Sequence, residues 1–118
     1  MRLKRGVTKK IVTENEEKMY YDYQMVTDLF DFQDLKKQEN FAIKRYKDSL
    51  YRGQVNDNKR HGLGVCVYEI GRVYEGSWDY DKRHGKGYEK FSNGNQYLGE
   101  YDHGKVNGKG IYTWQNGD

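Results

Sequence analysis

Histidines and basic residues recur along this chain at an interval that could bring them together, so metal binding is considered first. His61 and His84 are 23 residues apart, and each directly follows a Lys-Arg pair. If successive units are hairpins of one sheet, strand spacing separates the two imidazoles by roughly 10 Å. Zinc–nitrogen bonds are about 2 Å long, so these two rings cannot share an ion. The sequence therefore predicts no metal site, and we expect both histidines to bond the backbone of nearby turns.

Three further patterns resemble catalytic or cofactor motifs and depart from them at required positions. The segment Gly99–Val106 has the glycine and lysine spacing of a phosphate-binding loop but lacks the Ser or Thr that holds magnesium. Asp79 and Asp81 begin like a calcium-binding loop, but Arg83 occupies a ligand position. The lone Cys66 would need a histidine and an orienting group to act as a nucleophile, so we expect it to fill a strand. We predict no enzyme, no catalytic residue and no cofactor.

The basic pairs could instead contact an anionic surface. Four side chains are candidate contacts with phosphoinositides or other anionic lipids: Lys59, Arg60, Lys82 and Arg83. A basic residue close to such a surface contributes roughly 1 kcal/mol. Aspartates interleave with these residues, and Val106 interrupts the series in the third copy. Because the formal net charge is only +3, the sequence predicts no nucleic-acid partner.

Glycine shows how the chain is organised. Twelve of the fourteen glycines repeat at a 23-residue interval in four registers: Gly53, Gly76 and Gly99; Gly62, Gly85 and Gly108; Gly64, Gly87 and Gly110; Gly71, Gly94 and Gly117. Tyr51, Tyr74 and Tyr97 keep the same interval. A fixed period of this length is typical of repeat architectures, in which each unit buries its apolar surface on its neighbours.

Alternating residues predict that each unit is a β-hairpin. In the middle unit Tyr74, Gly76 and Trp78 alternate with polar residues, which is the pattern of a half-buried strand. Asn93-Gly94 and Asn116-Gly117 suit type I′ turns, in which both central residues have positive φ. The predicted fold is mainly β: a single-layer, twisted antiparallel meander of hairpin repeats, solenoid-like, preceded by an N-terminal helix.

Two parts are predicted before the repeats. Residues 1–27 are polar without a clear period, and we expect a flexible or partner-ordered segment. Residues 28–50 place apolar side chains at roughly helical spacing: Phe41, Ile43, Tyr46 and Leu50. We predict an amphipathic helix over residues 34–49 that caps the first repeat, because an exposed terminal strand invites edge pairing.

The repeated residues resemble the MORN (membrane occupation and recognition nexus) repeat. The middle unit carries the pattern as Tyr74-x-Gly76-x-Trp78, then His84-Gly85-x-Gly87, then Phe91 and Gly94. The outer copies keep it with three departures, which are Val55, Ile70 and Asn107. The resemblance covers three gapless units, 51–73, 74–96 and 97–118, and nothing before them.

This resemblance implies an elongated hairpin sheet that has no catalytic activity of its own. Members of the family resemble scaffolds that bind other proteins, often at cilia, flagella, cytoskeletal structures or membrane junctions. For this chain we expect a subunit of a large assembly, with a ciliary or flagellar axoneme, such as a radial spoke, as the preferred setting. Two alternatives stay open: a membrane- or phosphoinositide-binding tether, and a regulatory module of a larger enzyme.

Aromatic residues of the strands supply the candidate partner surface, on which a helix or an extended peptide would lie. The candidates are Tyr74, Trp78, Tyr80, Tyr88, Phe91, Tyr97, Tyr101 and Trp114. The same rings could instead build the thin core, and Tyr80 and Tyr88, which have off-face parity, are the better candidates for contact. The open edge after the third hairpin offers strand pairing as a second route. A single cysteine without a glycosylation sequon favours an intracellular, cytoplasmic or cytoskeletal location.

Overall fold

The structure, a computed structural model, describes residues 23–116, in which seven strands form one antiparallel sheet. The strands follow chain order across the sheet: β1 Phe41–Arg45, β2 Ser49–Asn56, β3 Lys59–Tyr68, β4 Val73–Asp79, β5 Lys82–Lys90, β6 Gln96–Asp102 and β7 Lys105–Thr113. A one-turn helix, α1 (Phe32–Leu35), precedes them, and a 3₁₀ turn (Glu69–Gly71) separates β3 from β4. The predicted meander of hairpins is confirmed. Gly117, the last glycine of the series, lies outside the described residues.

Opposed glycines fix the register of every hairpin. Three pairs stand directly across from each other: Gly53 and Gly64, Gly76 and Gly87, Gly99 and Gly110. A bulge follows each pair on the way to the turn. The ring of the preceding tyrosine lies across the pair, so that a Cβ at Gly87 would be 2.3 Å from the Tyr74 hydroxyl oxygen. Glycine is needed at Gly87 because a flat ring leaves no space for a side chain.

The two faces of the sheet carry different side chains, because directly opposed residues share a face and successive residues alternate. One face, called the tyrosine face below, carries the row Tyr51, Cys66, Tyr74, Glu89, Tyr97 and Tyr112. The other face carries the row Arg52, Val65, Glu75, Tyr88, Leu98 and Ile111. Residues 23–31, called the strap, pack on this second face, which is therefore called the strap face.

The turns differ from the prediction in type and place. Type I′ geometry occurs at the connections that close each hairpin, where both central residues have positive φ: Asp57-Asn58, Tyr80-Asp81 and His103-Gly104. At Asn93-Gly94 only Gly94 has a positive φ, of 91°, so the type I′ turn predicted there is wrong. The reason is a hydrogen bond from the Gly94 N–H to the Phe91 carbonyl, which closes the turn one residue earlier than expected.

The helix predicted over residues 34–49 is also wrong in extent, since α1 ends at Leu35 and residues 41–45 form β1. Asp31 starts α1 by accepting backbone N–H groups at its N-terminus. The residues after α1 form a strand because β2 has backbone N–H and C=O groups that need partners. As a strand, β1 bonds these groups, which a helix could not do. Phe41 and Ile43 also suit a strand, being aromatic and β-branched. The first repeat is therefore capped by a strand.

The segment predicted to be flexible or partner-ordered falls into two parts. Residues 1–22 lie outside the described residues. Residues 23–27 belong to the strap, and their backbone and side chains bond the strap face.

Ile70 provides a test of strain in the turns. Its φ of 59° puts a β-branched residue in the left-handed region, and its side chain is 77% exposed. Replacing it by asparagine (Ile70→Asn) gives an Asn-Gly dipeptide, so we expect the free energy of unfolding in urea to rise by about 1 kcal/mol. Ile43→Asn is the control, because Ile43 is similarly exposed on β1 and has no positive φ. Equal stabilisation by both substitutions would show that backbone strain is not the cause.

Candidate interaction surface

The rings of the tyrosine face form a continuous core. Tyr51, Tyr74 and Tyr97 are at most 3% exposed, and each hydroxyl donates to the carbonyl three residues further along, at 2.6 to 3.0 Å. Trp78 and Tyr101 pack edge-on against these rings, with centroids 5.0 to 5.5 Å apart. Burial raises the pKa of Tyr51 and Tyr74, so their hydroxyls stay protonated and act as donors.

Burial removes most of the predicted partner residues from the surface. Five of them are 0 to 5% exposed, so partner contact was a wrong prediction for Tyr74, Trp78, Tyr88, Tyr97 and Tyr101. They build the core, which is the alternative that the sequence left open. Tyr80 and Trp114 remain 44% and 50% exposed, and Phe91 is partly buried.

Arg60 and Arg83 also serve the tyrosine face, which corrects their assignment as lipid contacts. The Arg60 guanidinium lies over the Trp78 ring at 4.6 Å and donates to the Asp81 carboxylate at 3.0 Å. Arg83 donates to the buried Glu89 carboxylate at 2.5 Å. Both guanidinium groups are thus engaged inside the protein, with side chains only 16% and 20% exposed.

The lysines of the basic pairs are different, because Lys59 and Lys82 are exposed. Each opens the second strand of a hairpin, and Lys105 stands at the same place in the third unit. The three lysines therefore recur at the end of the sheet where the turns close the hairpins.

An aromatic cluster lies at the third hairpin and consists of the exposed Tyr112 and Trp114 and the partly buried Phe91, which follows β5. The Tyr112 ring is 5.8 Å from Phe91 and 4.6 Å from Trp114, centroid to centroid, and Tyr112 is 43% exposed. In the preceding units an arginine contacts the residue equivalent to Tyr112, whereas Val106 stands at that position here. No guanidinium therefore covers this cluster from that position. Sequence reasoning missed Tyr112 because its equivalents are a cysteine and a glutamate.

Glu75 binds the strap to the sheet. Its carboxylate is fully buried and accepts four hydrogen bonds, from the Tyr23 hydroxyl, the Val26 N–H, and the N–H and hydroxyl of Thr27, at 2.6 to 2.9 Å. Four donors offset the cost of burying a carboxylate. The alternating pattern predicted a solvent-facing Glu75, and only the strap, which has no sequence period, makes it a buried anchor.

The strap covers only part of its face. Apolar strap residues pack on the core around Val65, Val73 and Tyr88, which explains why Tyr88 is 5% exposed despite its off-face parity. Beyond Tyr88 the same row continues to Leu98 and Ile111, which are 37% and 68% exposed. The third unit thus presents exposed apolar groups on both faces.

The predicted turn role of the histidines is confirmed. Nδ1 of His61 accepts the N–H of Tyr80, and Nδ1 of His84 accepts the N–H of His103, both at 3.2 Å. The sequence did not single out His103, because the equivalent residue of the preceding unit is Tyr80. His84 and His103, together with Asp102, offer ligand atoms that lie within 4.8 Å of one another, so these three side chains could hold a metal ion.

Cys66 fills a strand, as expected. It is fully buried on the tyrosine face, and burial raises the pKa of its thiol, so the nucleophilic thiolate is disfavoured.

Comparison with known proteins gives one family. A sequence model described as MORN repeat matches residues 51–71, 74–96 and 97–118, more than half of the chain. No curated protein matches the chain. Between residues 23 and 116, no helix has the length and apolar composition needed to cross a membrane.

Asp81 gives a pH-dependent prediction. Desolvation raises the pKa of Asp81, but the backbone N–H and guanidinium of Arg60 outweigh it, and the net pKa is lowered. A lowered folded-state pKa means that its contribution to stability is present at neutral pH and is lost as the pH falls through that pKa. Asp81→Asn should therefore cost about 0.5 kcal/mol at neutral pH, since the pair is partly exposed and screened. The difference from the unmodified protein should shrink towards zero in acid, as measured by urea unfolding.

The control for this experiment is Asp57→Asn, in the turn of the first hairpin. Among the described residues, no hydrogen bond to the Asp57 carboxylate is found, so this substitution removes a turn carboxylate without breaking a side-chain hydrogen bond. Asparagine is tolerated in this turn type, since Asn58 holds the position equivalent to Asp81 with a φ of 62°. A constant offset between Asp81→Asn and the unmodified protein at every pH would contradict the assigned role.

Proposed function

The chain belongs to the MORN repeat family, and on that basis we propose that it is a non-catalytic interaction protein that binds another protein through its third hairpin. MORN repeats generally mediate protein–protein or membrane interactions. The aromatic cluster of Phe91, Tyr112 and Trp114, in which Tyr112 and Trp114 are exposed, is the observation that carries the proposal. Aromatic rings give a large contact area at a small cost in conformational entropy, and they are enriched where proteins bind one another.

The contrast within the molecule supports this choice of surface. The rings at the centre of the tyrosine face are at most 5% exposed, whereas Tyr112 and Trp114 are close to half exposed. Trp114 follows β7, and its ring contacts that of Tyr112. A side chain that is large, apolar and exposed is more informative about binding than a buried one.

The strap supports a peptide segment without regular secondary structure as the form of the partner. Within this chain a stretch of irregular backbone already lies on the sheet and donates backbone N–H groups to Glu75. The sheet is therefore a surface on which a peptide can be ordered by backbone and apolar contacts together. Among residues 23–116, β7 pairs only with β6, so strand addition at this edge is a second way for the same partner to bind.

We propose an intracellular assembly as the setting, with a ciliary or flagellar axoneme, such as a radial spoke, or another cytoskeletal structure as the preferred site. Two observations support this setting. Proteins of the family often act at cilia, flagella or cytoskeletal structures, and the free, buried Cys66 suits a reducing compartment. A regulatory module of a larger enzyme remains the alternative if the intact protein carries a catalytic domain.

Affinity capture from native extract tests the binding surface. The double variant Tyr112→Ser/Trp114→Ser should capture at least about tenfold less partner than the unmodified chain. The reason is that a ring at the centre of an interface contributes roughly 1 kcal/mol or more to the binding free energy. Its melting temperature should stay close to that of the unmodified chain, since both rings are exposed. Ile43→Ser is the matched control, with an exposed apolar residue on β1 at the opposite edge of the sheet.

The identity of the captured proteins, read by mass spectrometry, tests the setting. Axonemal or cytoskeletal proteins should be recovered with the unmodified chain and with Ile43→Ser, and should be depleted with the double variant. Equal capture by all three proteins would remove this surface from the proposal, and recovery without cytoskeletal proteins would remove the setting.

A membrane-binding tether is the second candidate, favoured by the exposed row of Lys59, Lys82 and Lys105. Each lysine contributes roughly 1 kcal/mol of binding free energy close to an anionic surface, so the three could hold the turn end of the sheet on a membrane. Flotation with vesicles that contain phosphatidylserine tests this, using the triple lysine-to-glutamine variant. The unmodified chain should float with anionic vesicles and the variant should not, whereas neutral vesicles should float neither. Lys86→Gln/Lys90→Gln is the control, since these exposed lysines lie elsewhere on β5.

A further inference from the structure

Two histidines and two aspartates converge near the turn that closes the third hairpin. The ligand atoms of His84, Asp102 and His103 lie within 4.8 Å of one another. Asp79, at the end of β4, joins them through a contact of 3.1 Å between its Oδ2 and Nε2 of His103. Donor atoms around a tetrahedral zinc ion are about 3.3 Å apart, so small side-chain movements can bring three of these atoms around one ion.

Backbone geometry holds the two imidazoles together. His103 is the first central residue of the type I′ turn, with a φ of 45°, and its N–H donates to Nδ1 of His84. The two rings are in contact, with centroids 4.3 Å apart and planes inclined by 37°. The preceding hairpin has the same arrangement, in which the Tyr80 ring lies 4.1 Å from that of His61 at an angle of 35° and the Tyr80 N–H donates to Nδ1. The placement therefore comes from the repeat, and the second imidazole is what the third hairpin adds.

The charges around His103 favour a cation. Asp102 Oδ1 lies 2.7 Å from Nδ1 of His103, and Asp79 Oδ2 lies 3.1 Å from Nε2. A neutral imidazole has one N–H and can donate to only one of these carboxylates. The other carboxylate then meets a nitrogen lone pair, unless a proton or a metal ion is added. The cations at this end of the second and third hairpins are Arg83, Lys82 and Lys105. Arg83 donates to the Gly104 carbonyl and pairs with Glu89, a carboxylate that it shares with Arg72, while Lys82 and Lys105 stand opposite Asp79 and Asp102 on the neighbouring strands.

We propose that His84, Asp102 and His103 bind one divalent transition-metal ion of the zinc type, with Asp79 beside them as an additional carboxylate. Imidazole nitrogens with carboxylate oxygens suit Zn²⁺, Co²⁺, Ni²⁺ or Cu²⁺ and do not suit Mg²⁺ or Ca²⁺, which prefer oxygen donors. The side chains are 41%, 66% and 56% exposed, so an ion can reach them from solvent. This site is independent of the aromatic cluster and of the binding function proposed above.

The same contacts limit the affinity of the site. Nδ1 of His84 accepts a backbone N–H, so a metal ion competes with that donor or requires the ring to turn. Metal binding also needs neutral imidazoles, and affinity should fall as the solution becomes acidic. A bound ion would link β5 to the turn between β6 and β7, and would stabilise the folded chain in proportion to its occupancy.

Isothermal titration of the metal-free chain with ZnCl₂ tests the proposal, using two substitutions that exchange the repeats. We expect one ion per chain with a dissociation constant on the order of 10 µM, given three exposed donors without an enclosing shell. His103→Tyr gives the third hairpin the residue of the second, and should weaken binding at least tenfold while keeping the ring contact. Tyr80→His does the reverse beside His61 and Asp79, and should raise the stoichiometry to two.

Co²⁺ absorption identifies the ligands, because visible d–d bands of four-coordinate Co²⁺ should appear with the unmodified chain and disappear with His103→Tyr. Circular dichroism of the metal-free proteins checks that all three fold alike, and excess MgCl₂ should not displace zinc. Equal zinc affinity of His103→Tyr and the unmodified chain would overturn the proposal. So would an unmodified chain that is folded and gives no saturable heat, or a Tyr80→His variant that still binds a single ion.

Discussion

The structure depends on one contact, that of a tyrosine ring lying flat over two opposed glycines. Tyr74 shows it most clearly: its hydroxyl donates to the Ser77 carbonyl, and its ring occupies the space that a side chain at Gly87 would need. This contact requires one tyrosine and two glycines in fixed register within every hairpin, followed by a bulge that brings the carbonyl to the hydroxyl. Each hairpin therefore repeats the same tyrosine and glycine positions, because a Cβ at either glycine would meet the ring or the opposed backbone.

The residues that the contact leaves free determine what each unit exposes. Cys66, Glu89 and Tyr112 occupy equivalent positions of the three units on the tyrosine face. Arg60 contacts Cys66 and Arg83 contacts Glu89, whereas Val106 stands at the equivalent position of the third unit. In the first two units a guanidinium group lies over an aromatic ring of the tyrosine face. In the third unit no guanidinium group covers the rings from the equivalent position. A change at two variable positions therefore converts core into surface without altering the hairpin that carries it.

The sequence predicted the features that repeat in every unit, and it did not predict those that depend on distant parts of the chain. The strands, the glycine pairs and the turn role of His61 and His84 are local to a unit and repeat, so the period reveals them. The burial of Glu75 and Tyr88 depends on the strap, whose hydrogen bonds to Glu75 span 48 to 52 residues of sequence and belong to no period. The helix expected over residues 34–49 failed for a related reason, since the apolar spacing there fits a helix and a strand alike and the free edge of β2 selects the strand. Pairing with distant segments is the information that a single-sequence pattern lacks.

The turns extend this argument to chemistry. Positions 80 and 103 both have a positive φ and contact a histidine ring in the same way, yet one is tyrosine and the other histidine. The fold needs only the N–H of this residue, which bonds the histidine of the preceding strand, so its side chain is free to vary. Because Asp79 and Asp102 end their strands beside it, an imidazole there meets carboxylates on both sides, whereas the phenol of Tyr80 accepts a hydrogen bond from Asn56. New binding chemistry can therefore arise at the closed ends of the hairpins while the tyrosine and glycine contact that holds the sheet is unchanged.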